Sequence, residues 1–382
     1  MRKTGKLLLL ILLIALLLSS CGTPGLELKN RLIVQAIGID ETKNGVRVTL
    51  QTLNTEMAGN PNSGANLGEV TRCLTVEGAT VSEALSNAAK SEGKQPLLSQ
   101  NRLIVFGRET AQNGLYTHLD YFVRNASTRL TVPVAVSDTT AEELVSASLG
   151  ENVLTADSIT DILDGARYNT NIVSQALYEF VNQISSDLTD AYIPVLRTEE
   201  EEGESKISMY SVGVFQDDRM TYELSSDDVT ALMLLTDKAQ SGYFSVENEA
   251  YAAQTVLKIK KADTKIQSEM VNGKILFNVQ VKMTVDISET RSDTPFSLDE
   301  AYLLQTEALA QQRICEMIEA TVRRCFLEQN SDPFGFGQRF WQRHPAQFKS
   351  DIVHWQETLP TVEVETQADV SVERVGNGVE NL

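Results

Sequence analysis

The clearest pattern in the chain is an alternation of apolar and polar residues between Lys274 and Ile287. Such alternation places one set of side chains on a single face of a β-strand. That face consists of Ile275, Phe277, Val279, Val281, Met283 and Val285. A second β-like run covers residues 253 to 267, and Asn272-Gly273 between the two runs is typical of a tight turn. We predict a long β-hairpin whose apolar face needs a covering element.

The covering element is predicted in the segment that follows, at about residues 298 to 329. Its apolar positions recur with the spacing of one helix face at Ile314, Ile318, Val322 and Cys325. A helix of about 30 residues is about 45 Å long and covers most of a twisted sheet. Pro333 ends the pattern, because proline disfavours helical geometry in the residue before it. Alternation returns over residues 361 to 375 and predicts a last strand.

The first half of the chain alternates shorter strands and helices. Asn44-Gly45 between two β-rich runs predicts a hairpin. One helix is predicted near residues 109 to 124 and two within residues 157 to 186. A glutamate-rich run follows at residues 199 to 205. Like charges repel one another and resist burial, so we place the main domain boundary there.

These elements predict an α+β fold with several domains, in which helices pack on mixed or antiparallel sheets. Residues 1–20 are a signal peptide, and residues 21–198 form an N-terminal α/β region of one or two subdomains. Residues 199–205 are an acidic linker. Residues 206–382 form a C-terminal α+β domain, with the long helix at about 298–329 on its sheet.

The N-terminus has the layout of a secretory signal peptide, with basic residues, an apolar run and small residues before a cysteine. The apolar run, Leu7 to Leu18, is shorter than the roughly 18 to 20 residues of a membrane-spanning helix. Leu18-Ser19-Ser20-Cys21 resembles the lipobox of bacterial lipoproteins, where the cysteine takes a diacylglyceryl thioether and becomes the new N-terminus. We expect acyl chains on Cys21 to hold the chain at a membrane. The alternative is an ordinary signal peptide with a chance cysteine at the junction.

The composition and the motif content argue against several classes of function. The formal net charge of −19 argues against binding to nucleic acid and against electrostatic adhesion to anionic lipids. The three histidines lack the spacing of a zinc motif. No nucleophile elbow, Walker loop or dinucleotide-binding motif is present. We therefore expect no catalytic residues, no metal and no cofactor.

A few residues remain as candidates for a site. The block DPFGFG at residues 332 to 337 contains one proline and two glycines, which predict a rigid turn. The aromatic residues Phe334, Trp341 and Trp355 either pack the long helix against the sheet or contact a partner protein. Arg124 and Arg129 either form ion pairs within the chain or contact a partner.

Several ordered motifs resemble the Ger(x)C family of spore germination lipoproteins, the C components of nutrient germinant receptors. They are RLIVQAIGID at 31–40, NRLIVF at 101–106, LDYFVRN at 119–125, RLTVPVAV at 129–136 and DPFGFGQRFWQRHP at 332–345, followed by Trp355. One departure is Phe348, where the family often has tryptophan.

The resemblance implies a receptor of three proteins in the inner spore membrane. Two are integral membrane subunits of the A and B types, and the third is a lipoprotein on the outer face of that membrane. It also implies a non-enzymatic role in assembly. A solute-binding lipoprotein of a transporter is the alternative, and an envelope hydrolase is the least favoured class.

Overall fold

The computed structural model describes residues 30–53, 71–149, 153–201, 204–292, 296–351 and 354–374. Within these ranges the strands form two separate sheets, and helices pack on both. The predicted α+β class is therefore confirmed. Cys21 and the predicted signal peptide lie outside the described residues.

The first sheet contains nine strands in the described part of the chain. They are β1 (Arg31–Thr42), β2 (Gly45–Leu53), β3 (Thr71–Gly78), β4 (Gln95–Leu97), β5 (Leu103–Phe106), β6 (Val134–Ser137), β7 (Ala191–Glu201), β8 (Glu204–Gln216) and β9 (Arg219–Leu224). Their order is β3-β2-β1-β5-β6-β7-β8-β9, and β4 pairs with the start of β1. β1, β5, β6 and β7 are parallel neighbours, whereas both ends of the sheet are antiparallel.

The middle of this sheet is buried on both faces. Every residue of β5 and β6 is buried, which suits short parallel strands that are covered by helices on each side. The covering helices are α1 (Val81–Glu92), α2 (Arg108–Asn113), α3 (Tyr116–Arg124), α4 (Ala141–Ser146), α5 (Thr155–Asp164) and α6 (Leu177–Ile184).

Local sequence explains where several of these helices begin and end. Thr80 and Thr140 accept the backbone N–H three residues on and cap α1 and α4. The single helix predicted near residues 109 to 124 is wrong in one respect. Gly114 adopts φ 127° and separates α2 from α3, because glycine tolerates positive φ without a steric penalty.

The glutamate-rich segment lies at the end of the β7–β8 hairpin. Glu199 pairs with Lys206 and Glu200 with Ser205, so the described residues of this segment are paired strand residues. An exposed hairpin end accommodates like charges because they need no burial. β8 and β9 belong to the first sheet, and the chain changes sheets after Leu224. The division at residues 199–205 itself stays a prediction.

The second sheet has the order β10-β11-β12-β13. Its strands are β10 (Gly242–Asn248), β11 (Ala253–Val271), β12 (Lys274–Ser292) and β13 (Glu363–Arg374). β11 and β12 form the predicted long hairpin, with Val271 opposite Lys274. β13 adds to β12 in parallel. The strand β10 was not predicted from the pattern.

Helix α8 (Glu300–Arg323), continued by a π-turn at Arg324–Glu328, is the predicted long helix. Its Ile314, Ile318 and Val322 share one hydrophobic core with the predicted face of β12. The placement of the long helix on the C-terminal sheet is therefore confirmed.

The two halves of the molecule share part of their core. Every residue of helix α7 (Asp227–Leu235) after Asp227 is buried. Its side chains join a cluster that includes Tyr192 of β7 and Val214 of β8 as well as Phe277 of β12. The remaining helices are α9 (Phe336–Arg343), α10 (Pro345–Asp351) and α11 (Trp355–Thr358).

Candidate functional site at the corner between the sheets

The chain turns sharply after α8, at the segment we call the corner, residues 330 to 337. Helix α8 ends in the π-helical segment Arg324–Glu328, and Ser331 N donates to the Cys325 carbonyl at 2.9 Å. Asn330 and Gly335 adopt positive φ values of 49° and 74°. These two positions reverse the chain and direct it into α9.

A buried carboxylate organises the corner. Asp332 is 1% exposed, and its Oδ1 accepts from Phe334 N at 3.2 Å. Its Oδ2 accepts from Gly337 N at 2.8 Å and from the indole Nε1 of Trp355 at 2.9 Å. One side chain therefore links the corner backbone to α11.

The same residue joins the corner to the first sheet. Asp332 N donates to Asp190 Oδ2 at 2.6 Å, and Asp190 N donates to the Asp332 carbonyl at 2.9 Å. The Thr189 hydroxyl donates to that carbonyl at 3.2 Å. Tyr222 of β9 adds a 2.9 Å hydrogen bond to Ser331 Oγ. The corner is therefore a joint between the two sheets.

Burial dominates the electrostatics of this joint. It raises the pKa of Asp332 from its ordinary value to about 6, and the nearby charge of Asp190 acts in the same direction. The N–H groups of Gly337, Phe336 and Trp355 oppose this rise in pKa. Burial likewise raises the pKa of Asp190. Donors of the protein itself occupy the Asp332 carboxylate, so it holds the structure together and is closed to a substrate.

Aromatic packing completes the corner. The Phe336 ring stacks on Phe277 of β12 with 4.6 Å between centroids. Phe334 and Phe326 pack beside Phe336 at centroid distances of 5.9 Å and 5.6 Å. These rings close the end of α8 onto the second sheet.

The three aromatic candidates from the sequence have different environments. Phe334 and Trp355 are buried, so the core alternative fits both. Trp341 is 43% exposed on α9 and lies where a partner or ligand can reach it.

The two arginine candidates lie outside the corner. Arg124 is exposed and pairs with Asp120 one turn earlier on α3, at 2.7 Å. Arg129 is also exposed, and its guanidinium donates to the Asn101 carbonyl at 3.5 Å. Ion pairing within the chain thus fits Arg124, whereas the contact that Arg129 makes in the described part of the chain is a hydrogen bond to a backbone carbonyl.

Sequence reasoning missed the central role of Asp332 and the participation of Asp190. The available signal for Asp332 was its position directly before Pro333 and close to two glycines. Asp190 had no local signal, because its partner lies 142 residues away.

Comparison with known proteins gives the family. The model of the spore germination protein N-terminal domain matches residues 25–198, and the model described as spore germination B3/GerAC like, C-terminal, matches residues 211–376. The chain belongs to the Ger(x)C family of spore germination proteins.

Relatives in this family are distant but match along most of their length. Spore germination protein KC of Bacillus subtilis strain 168 is 24% identical, with 96% of each chain covered. Spore germination protein GerQC of Bacillus cereus is 22% identical over 82% of this chain and 85% of its own. The crystal structure of the GerBC protein superposes with a TM-score of 0.55 at 17% identity, covering 88% of this chain and 96% of that one.

In this Ger(x)C protein the joint connects the two family domains. Asp190 lies within the matched N-terminal domain and Asp332 within the matched C-terminal one. Among the residues that the structure describes, no helix is both long and apolar enough to cross a membrane. The same described residues contain no group of three or more potential metal ligands.

Proposed function

We propose that this protein is the lipid-anchored, non-enzymatic subunit of a nutrient germinant receptor. In this role it assembles with integral membrane subunits of the A and B types at the outer face of the inner spore membrane. The observation that carries the proposal is the presence of both Ger(x)C domains, in order. They follow an N-terminal sequence that predicts a signal peptide at residues 1–20 and a lipid-modified Cys21.

The anchor gives a physical reason for assembly. A diacylglyceryl group supplies two acyl chains, which is what stable membrane attachment needs. Confinement next to partners that stay in the bilayer raises their effective concentration and strengthens weak contacts. The exposed residues Trp341, Arg124 and Arg129 are the candidate contacts at which assembly would occur. The division into two regions at residues 199–205 is part of the same proposal.

The alternative, a solute-binding lipoprotein of a transporter, has weaker support. That class predicts two similar α/β lobes around a cleft. Here the described residues form one sheet of nine strands and one of four, with different strand orders.

Replacement of Cys21 by alanine tests the proposal. We expect Cys21→Ala to leave the circular dichroism spectrum of the purified chain unchanged. The variant should be lost from the spore membrane fraction, and nutrient germination should be slower. Mild-detergent purification of the tagged variant should recover several-fold less of the integral membrane subunits than the wild type. Cys73→Ala, at an exposed free thiol, is the matched control and should behave like wild type.

Two results would contradict the proposal. Failure of the tagged wild-type chain to recover any integral membrane subunit from spores would argue against the receptor role. Normal membrane attachment and normal germination with Cys21→Ala would argue against the anchor.

A further inference from the structure

A cavity of about 560 Å³ opens beside the corner, between the two halves of the molecule. The end of α6, the loop into β7 and the β8–β9 turn form one side. Helices α9, α10 and α11 contribute the other side. Its volume is in the range of cavities that hold a whole small molecule.

The two sides of the cavity differ in chemistry. The side next to the first sheet contributes three carboxylates, from Asp187, Asp190 and Asp217. The side formed by α9, α10 and α11 contributes the ring of Phe348 and the indoles of Trp341 and Trp355. Trp341 and Trp355 are the two tryptophans of the entire chain.

The negative charge in the cavity is not balanced by the protein. None of the described residues that line it is lysine or arginine. Asp190 is buried and bonded to the Asp332 backbone, whereas Asp187 and Asp217 are exposed. Within the described part of the chain, neither of these two exposed carboxylates has an ion-pair or hydrogen-bond partner. Arg339 of α9 donates to the carbonyls of Leu235 and Phe334.

We propose that this cavity binds a small organic ammonium ion. Indole rings attract cations through their quadrupole, and the unpaired carboxylates of Asp187 and Asp217 in the lining add charge attraction. A bare metal ion is a poorer match, because the described residues contain no group of three or more potential metal ligands. An anion is disfavoured by all three carboxylates. The site does not require that the chain assembles with membrane subunits, so it is tested separately from that role.

Tryptophan fluorescence of the full chain in detergent tests the proposal directly, since both tryptophans line the cavity. The probes are n-butylammonium and tetramethylammonium, added at constant ionic strength and at pH 8. We expect a saturable change in emission with a midpoint below about 10 mM. The neutral counterparts n-butanol and tert-butanol should give midpoints at least about tenfold higher.

Substitution of the exposed carboxylates gives the second readout. Asp187→Asn and Asp217→Asn should each weaken binding about three- to tenfold, and the double variant should weaken it further. Asp161→Asn, at an exposed carboxylate of α5 that does not line the cavity, should leave the midpoint unchanged. An absence of saturation, equal midpoints for amines and alcohols, or wild-type affinity in the double variant would each overturn the proposal.

Discussion

Single residues in the corner are constrained by what lies within a few ångströms of them. Gly337 shows this most clearly. A Cβ built there would lie 2.6 Å from the Trp355 indole nitrogen and 2.7 Å from the Leu188 carbonyl oxygen. The second neighbour is backbone and belongs to the other half of the molecule, so the clash cannot be relieved by a side-chain rotation. Glycine is needed at this position for close approach of two segments.

We therefore expect Gly337→Ala to destabilise the protein by about 3 kcal/mol. The cost arises from overpacking, although alanine favours a helix by about 1 kcal/mol over glycine. Urea unfolding of the purified chain measures the change. Gly273→Ala is the control, because Gly273 has φ 82° but no atom within 4 Å of its Cβ position. It should cost only the roughly 1 to 2 kcal/mol of left-handed backbone. A smaller loss for Gly337→Ala than for Gly273→Ala would contradict the packing argument.

At the scale of elements, α8 covers both a face and an edge of the second sheet. β13 is an edge strand in the described sheet order. Glu307 accepts from Val372 N at 2.7 Å, and Gln311 and Cys315 donate to carbonyls of the same strand at 3.4 Å and 3.6 Å. These three residues recur every four positions and form one helix row. The helix thereby occupies backbone groups that would otherwise pair with another chain.

The face of α8 that packs on the sheet should dominate its contribution to stability. Ile318 is fully buried against the β12 face, whereas Leu304 on the same helix is 60% exposed. We expect Ile318→Ala to cost about 2 to 5 kcal/mol through cavity formation. Leu304→Ala should change the free energy of unfolding by less than about 0.5 kcal/mol. Thermal and urea unfolding of both variants would measure this difference, and similar costs would show that the helix face is misassigned.

Whether an element could be predicted from the sequence depends on the length of its periodic hydrophobic pattern. The β11–β12 hairpin and α8 were predicted because 14 to 30 residues repeat one period and leave no competing interpretation. The short helices α2 and α3 were predicted as one because a single glycine carries the signal for the break. Burial does alternate along GYFSVEN, but β10 was missed because its buried positions include a glycine and an asparagine, which a hydrophobic pattern does not mark.

At the scale of the whole molecule, the joint between Asp190 and Asp332 couples the two sheets and makes the stability of the folded chain depend on pH. The pKa of Asp332 is raised from an ordinary 3.8 to about 6, chiefly by burial. Between these values the folded chain binds more protons at this carboxyl than the unfolded chain does. Its contribution to stability is therefore greatest below pH 3.8 and is lost as the pH rises through about 6.

Comparison with a variant that cannot titrate isolates this effect. We expect the melting temperature of the wild type, relative to Asp332→Asn, to fall between about pH 4 and pH 6 and to level off above that range. Scanning calorimetry at half-unit pH intervals provides the measurement. Asp161→Asn, at an exposed carboxylate, should show no such change in difference with pH. A pH-independent difference for Asp332→Asn would mean that burial does not control this titration.

The sequence by itself determined the local elements of this protein, the apolar face of β12, the helix that covers it and the layout of the leader. These properties depend on residues a few positions apart, whose periodicity is directly readable. Only the tertiary structure decided that the chain changes sheets after Leu224, that Asp190 meets Asp332, and that three carboxylates face both tryptophans across one cavity. The groups that meet at the joint and across the cavity lie more than a hundred positions apart in the sequence. Such contacts are selected by how the whole core closes, which no local pattern records.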